Sequence, residues 1–396
     1  MDTRSTIATR RDAVWLTPDS GDFETFRTLM AGAETPDLPL SDGQAQGIPL
    51  YDGARVRAAA PRIDDRRDLM AEWTSVLAEG PGIVIVKNAM SDLEALDRAT
   101  EVFETLIAEE KAAGAGAGDH FAKPGANDRV WNAAEKHCLA DPAGFARYYA
   151  SDAIAMASEA WLGQGYQVTA QVNRVNPGGT AQTAHRDYHL GFMSPAQMAG
   201  FPSHVHGISP VLTLQGAVAH CDMSLESGPT LFLPHSQTFF EGYLAFSRLE
   251  FQAYFADHHV QVPLAKGDAV FFNPAVMHGA GTNSTADIRR LANLLQISSA
   301  FGRAMESLNR DAMCAALYPA LLETMAQGTL TETELSNVIR ASAEGYAFPT
   351  DLDRDPPVNG LAPQTQAELM QAMLAERQPT EKAREMLITQ AARRKT

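Results

Sequence analysis

The stretch Gln167-Val168-Thr169-Ala170-Gln171-Val172-Asn173 alternates apolar side chains with amides and a hydroxyl. A period of two marks a β-strand whose one face packs into a core while the other offers hydrogen-bonding groups to a cavity. The turn Asn176-Pro177-Gly178-Gly179 follows it. Further strand-like runs are Val211–His220, Thr230–Leu233, Val260–Leu264, Ala269–Phe272 and Leu291–Ser298, punctuated by Ser227-Gly228-Pro229 and Lys266-Gly267-Asp268. Many short strands with such punctuation predict a sandwich or barrel of the jelly-roll kind. The expected fold class is a mainly β core carrying N-terminal and C-terminal α-helical additions.

Working outward, the period changes. Between Asp65 and Glu79, residues Leu69, Trp73, Val76 and Leu77 share one helical face, and Gly80-Pro81 stops the helix. Ile83–Val86 reads as a short β-branched strand. Ser91 with Glu94 reads as a capping box, opening a helix with Leu96, Phe103, Leu106 and Ile107 on one side. That helix ends before the Gly-Ala repeat at 114–118, which has no side chains to pack and reads as a flexible loop. Asp141-Pro142 is an N-cap and N1 pair for a helix to about Leu162. Residues 1–60 are polar and weakly periodic, and read as an irregular wrapping segment. After 300 the helical period returns, broken by a linker at 351–363. The chain thus reads as one catalytic unit, 1–396: a wrapping segment and helix (1–81), a core with the jelly roll (82–300) and a helical extension (301–396).

Forty-eight acidic residues against 32 basic ones give a net charge of -16 and a pI near 5.1. No basic stripe is present, which argues against nucleic acid as a partner. Cys138, Cys221 and Cys314 are dispersed, odd in number and form no CxxC pair, as expected in a reducing compartment. No long apolar run suggests a membrane partner or a leader. A cytoplasmic protein acting on a small molecule is expected, with its oligomeric state left open.

The residues that carry chemistry begin at Ala184-His185-Arg186-Asp187. His185 and Asp187, two apart on a predicted strand, leave the same face and can reach one metal ion. His278, in Val276-Met277-His278-Gly279-Ala280-Gly281, supplies a third ligand. Two imidazoles and one carboxylate on one side of an ion leave positions open opposite, the facial triad of non-heme Fe(II) oxygenases. Arg289, 11 residues after His278 in the sequence, can grip a carboxylate bidentately at the start of the next strand.

In these residues the chain resembles the phytanoyl-CoA dioxygenase-like Fe(II)/2-oxoglutarate-dependent oxygenases. The likeness runs from about Gly82 to Ser298. It includes Pro-Gly-Ile-Val-Ile-Val-Lys-Asn, His185-Arg186-Asp187, the Asp222 to Pro234 segment, Lys266-Gly267-Asp268, His278-Gly279-Ala280-Gly281 and Arg289. The resemblance implies a double-stranded β-helix with Fe(II) held by His185, Asp187 and His278 near one mouth. It implies 2-oxoglutarate chelating the metal and reaching Arg289, with O2 as oxidant and succinate and CO2 as products. Because Asp187 is present where related halogenases lack a carboxylate, hydroxylation is expected. Two departures stand out. Pro234-His235-Ser236-Gln237 replaces the family's Pro-Gly-Ser-His, and Ala280 replaces a hydroxyl residue that follows the distal histidine. Gln171 and Asn173 are therefore further expected contacts to 2-oxoglutarate.

Competing readings exist for several residues. His220-Cys221-Asp222 is a second HxD, read as a strand end entering a turn. Arg290 rivals Arg289, and alternation is expected to turn it outward as a surface charge. Tyr188, His189 and Phe192 are placed either in a substrate pocket or in loop packing. His204 and His206 lack a neighbouring carboxylate. Lys123, Asn127 and Arg129 form either a lid or an ordinary surface. Two other functions stay open. One is a cupin-type metal enzyme that does not use 2-oxoglutarate, and the other is a non-catalytic jelly-roll binding protein that retains a metal.

Overall fold

The described residues hold ten strands, the longer of them rich in apolar and β-branched residues: Gly43–Ala45 (β1), Ile48–Asp52 (β2), Ile83–Lys87 (β3), Asn127–Val130 (β4), Gln167–Val175 (β5), Thr213–Ala219 (β6), Leu231–Leu233 (β7), Ala269–Phe272 (β8), Met277–Gly279 (β9) and Arg290–Ser298 (β10). The computed structural model describes residues 3–114, 125–187, 190–358 and 360–395. Eight strands form one sheet in the order β1-β2-β3-β8-β6-β10-β5-β4, antiparallel except for the β2–β3 pair. β7 and β9 form a second, antiparallel pair. Isolated bridges extend that pair, joining His185 to His278 and Phe232 to Val260.

Strand alternation sorts the two faces of the large sheet. On β10, Leu291, Leu295 and Ile297 join the main core beneath the helices. Ala292 and Leu294 face the other way, into an apolar layer with Ile83, Ile85, Val270, Phe272 and Phe232. The Phe232 ring of β7 meets the Phe272 ring of β8 edge-on at 5.0 Å, so the small sheet packs over the inner face of the large one.

Helices cover the outer face. Those at Ile63–Ala78, Leu93–Ala112, Pro142–Tyr149 and Asp152–Leu162 contribute to the main core, and so do the C-terminal helices Arg310–Gln327, Glu332–Ser342, Gln366–Ala375 and Thr380–Arg394. Helix makes up 46% of the chain, so the expected mainly β class is corrected to a large mixed sheet with an extensive helical layer.

Three local expectations are also corrected. Residues 1–60 are not irregular, since they hold the helices Thr3–Val14, Phe23–Ala31 and Gly53–Ala59 and two strands. The helix Leu93–Ala112 is capped by Asp92, whose carboxylate accepts the Ala95 N–H, rather than by Ser91. The helix from Pro142 stops at Tyr149, and Ser151 caps a separate one. The Gly-Ala repeat from 115 onward, Lys123, Tyr188 and His189 lie outside the described residues.

Candidate metal centre

The backbone brings the two segments that carry the candidate ligands together before any side chain takes part. His185 N–H donates to the His278 carbonyl at 2.9 Å, and His278 N–H returns the bond at 3.0 Å. Asp187 N–H donates to Pro274 O at 2.9 Å. The imidazole rings then stand with centroids 4.6 Å apart. His185 Nε2 lies 3.6 Å and His278 Nε2 3.7 Å from Asp187 Oδ2. The three ligand atoms fall within 4.8 Å of one another, and no other such group of three or more occurs among the described residues. Atoms this close together can converge on one ion, as nitrogen and carboxylate ligands at roughly 2.0–2.2 Å from a metal must.

Hydrogen bonding prepares both imidazoles. His185 Nδ1 sits 2.9 Å from Thr183 O, and His278 Nδ1 sits 2.8 Å from Val276 O. A carbonyl only accepts, so each Nδ1 carries the proton and each neutral ring presents a lone pair at Nε2. This is the outer-shell arrangement that fixes tautomer and ring orientation in histidine metal sites. Burial and the neighbouring His185 push the His278 pKa down, which favours the neutral ligand form despite the opposing pull of Asp187. Desolvation would raise the Asp187 carboxyl, but His185 and His278 beside it hold it well below the usual carboxylate range. Gln215 Nε2 donates to Asp187 Oδ2 at 2.8 Å. The sequence reading missed this residue, although strand alternation on β6 could have placed its amide on the inner face.

The two arginines exchange the places expected of them. Arg289 is exposed, whereas Arg290 is 6% exposed. Arg290 begins β10 on the face of Ala292 and Leu294, and its Nη1 donates to Ser227 O at 3.0 Å. Among the described residues no carboxylate pairs with it. Burial lowers its pKa to about 10, with the Cys221 thiol pulling weakly the other way. The physical reason is register: β10 starts at 290, and Asn283 pins the approach by donating to Ile288 O and Val175 O.

Gln171 and Asn173 lie on the inner face of β5, opposite Leu294 and Ala292. Gln171 accepts from Arg129 Nη1 at 2.8 Å, and its amide nitrogen lies 3.5 Å from Met305 Sδ. Asn173 Oδ1 is buried with no hydrogen-bond partner among the described residues. The second HxD does not assemble. His220 turns toward the helices, bonding Thr100 Oγ1 and Tyr148 Oη, while Asp222 accepts the Lys266 N–H. His206 is buried against Met198 O, and Phe192 is exposed. His235, which stands where the family has glycine, takes the left-handed conformation with φ 67°, so the loop keeps a glycine-like shape despite the substitution.

Several solved structures are similar to this chain. The non-heme alpha ketoglutarate dependent epimerase SnoN from nogalamycin biosynthesis is 20% identical, with a TM-score of 0.41, over 59% of this chain and 82% of its own. EctD from S. alaskensis with bound Fe is 17% identical, with a TM-score of 0.42, over 60% and 79%. HygX from Streptomyces hygroscopicus with nickel and 2-oxoglutarate bound is 13% identical, with a TM-score of 0.38, over 58% and 87%. No curated protein matches the chain. The phytanoyl-CoA dioxygenase (PhyH) family matches residues 78–291, more than half of the sequence. The chain therefore belongs to the phytanoyl-CoA dioxygenase family and, with it, to the iron- and 2-oxoglutarate-dependent oxygenase class.

Proposed function

We propose that the protein hydroxylates a small organic metabolite, with Fe(II) held by His185, Asp187 and His278 and 2-oxoglutarate consumed to succinate and CO2. The observation that carries this reading is the three-atom ligand set with both Nδ1 protons already committed to carbonyls. Structural metal sites usually close with four protein ligands, whereas three leave room for co-substrate and oxygen. Bound there, iron would supply oxygen activation. We read the two facing sheets as a double-stranded β-helix and the whole chain, helices included, as one catalytic unit in the cytoplasm.

For the co-substrate's far carboxylate we assign Arg290 in place of Arg289. A buried guanidinium without a carboxylate partner favours an anion that arrives from solution. The hydroxyl missing at Ala280 has a neighbour able to replace it. Leu231 pairs with Gly279 and Phe232 with His278, so the next position sets Thr230 opposite Ala280. Gln171 and Asn173 remain assigned to the same cavity as polar contacts.

The test is succinate formation by purified protein with Fe(II) and 2-oxoglutarate under air, with and without candidate metabolites. Slow succinate release without substrate, raised by the correct metabolite, is expected. A protein that binds iron yet makes no succinate with any metabolite would favour the cupin-type or non-catalytic readings.

A further inference from the structure

We infer that Ser236 is the positioning residue that sets the spacing of the two ligand-bearing segments. The inference rests on the reading of His185, Asp187 and His278 as metal ligands. Ser236 is fully buried. Its Oγ accepts the N–H of Met277 at 2.7 Å, and Met277 immediately precedes the ligand His278. Its carbonyl accepts from Arg186 Nη2 at 2.7 Å, and Arg186 stands between the ligands His185 and Asp187. One residue thus grips both sides of the triangle, through two different atoms.

The grip is itself anchored. His235 N–H donates to Pro81 O at 3.1 Å, and Gln237 Nε2 donates to Gly80 O at 2.8 Å, tying the residues on either side of Ser236 to the entrance of β3. The Arg186 guanidinium lies over the Tyr243 ring at 4.9 Å, and Tyr243 Oη donates to Gln237 O at 3.1 Å. Arg186 is only 1% exposed, so its position is fixed by these partners and not by water. The left-handed turn at His235 orients Ser236 so that side chain and carbonyl serve different segments. A hydroxyl and a carbonyl on one turn therefore hold the Met277 backbone beside His278 and the Arg186 side chain between His185 and Asp187.

The experiment is an anaerobic Co(II) titration of the metal-free full chain, read by the visible ligand-field spectrum, in parent, Ser236→Ala, Tyr243→Phe and Ser227→Ala. Ser227 is an equally buried serine whose Oγ, among the described residues, bonds only its own turn at Ser224 O, so it controls for general loss of a buried hydroxyl. Ser236→Ala should weaken Co(II) about 10- to 100-fold and shift the ligand-field bands, the usual cost of losing an outer-shell partner. Tyr243→Phe should weaken it in the same direction by about tenfold, and Ser227→Ala should change neither quantity. Affinity and spectrum unchanged in Ser236→Ala, or an equal loss in Ser227→Ala, would overturn the assignment. Should Ser236→Ala fail to fold, an unaltered Tyr243→Phe overturns it instead. A parent that binds no Co(II), or a His278→Ala variant that binds as well as the parent, would overturn the metal reading itself and so be told apart.

Discussion

A single atom decides whether a histidine can be a ligand here, and that atom is Nδ1. Because the Thr183 and Val276 carbonyls take the Nδ1 protons, the Nε2 lone pairs are available without a tautomer change. His185→Ala, Asp187→Ala and His278→Ala are each expected to abolish stoichiometric iron binding and substrate-free succinate release. Full succinate production by His278→Ala would remove the assignment. Gln215→Ala is expected to keep the three ligands but loosen Asp187, lowering iron affinity about 10- to 100-fold in a chelator competition. The grouping of His185, Asp187 and His278 was legible because H-x-D and a later histidine are rare chemistry in a fixed order. Gln215 was not, since an amide on a strand has many ordinary uses, and only the folded pairing with Phe272 brings it to Asp187.

At the scale of the element, parity governs. Shifting a strand by one residue exchanges its two faces, and the Arg289/Arg290 pair shows the consequence. Hydrophobic alternation along Leu291–Ser298 is clear, but where the strand starts depends on the loop before it. That loop is set by Asn283 side-chain bonds that no local pattern announces. Arg290→Ala should cost about 2–5 kcal/mol of 2-oxoglutarate binding, since a buried carboxylate would lose its cation. At ~1.4 kcal/mol per tenfold, affinity falls by roughly one and a half to three and a half decades. Arg289→Ala should leave it unchanged. Anaerobic titration of 2-oxoglutarate into the Fe(II) protein, read by its charge-transfer band, separates the two, and the reverse outcome would restore Arg289. Thr230→Val should raise the 2-oxoglutarate requirement by a smaller amount, about 0.5–1.5 kcal/mol for one hydrogen bond, with Ala280→Ser restoring it. No rescue would mean that the two positions do not share a ligand.

Across the whole molecule, most of the strands and the meeting of His185, Asp187 and His278 were readable, but Val260–Leu264 forms only isolated bridges, Val211 and Leu212 belong to a 3-10 turn, and the helical share was underestimated. Residues 1–60 lack a strong period because their helices bury few residues, Phe26 alone in the case of Phe23–Ala31. The C-terminal helices are an integral layer: Met313, Cys314, Leu317, Tyr318 and Leu321 of one helix all enter the main core. The single Tyr318 O–H is shared between Met373 O and Gln378 O, at 2.9 and 2.7 Å, stitching the last helices together. Leu317→Ala should therefore cost about 2–5 kcal/mol of stability, as for other fully buried leucines. A denaturant midpoint equal to the parent's would show that this layer contributes little.

The same core contains two buried histidines that make stability depend on pH. His137 lies among Phe103, Phe145 and Tyr148, at ring distances of 5.2, 5.5 and 5.7 Å, and neither of its ring nitrogens has a hydrogen-bond partner among the described residues. Burial pushes its pKa down to about 4, with Asp141 opposing and Arg98 assisting. Burial likewise takes His220 down to about 3, helped by His137 and Lys266. Both folded values are below the ordinary value of 6.5. Between these limits the unfolded chain binds more protons, so stability rises with pH there. The contribution is full above 6.5 and is lost as pH falls toward the folded values, by up to about 1.4 kcal/mol per pH unit for each histidine. Asp128, Asp141 and Glu159 also have lowered values, but their loss begins near the ordinary carboxylate values of 3.8 and 4.5, at the acid end of the histidine window. We therefore expect the denaturant midpoint of the metal-free protein to drop between pH 6.5 and 4.5. His137→Leu should flatten that limb and raise stability at pH 5, because an unpartnered imidazole gives way to an apolar side chain. A variant whose pH slope matched the parent's would show that His137 is not held neutral in the folded state.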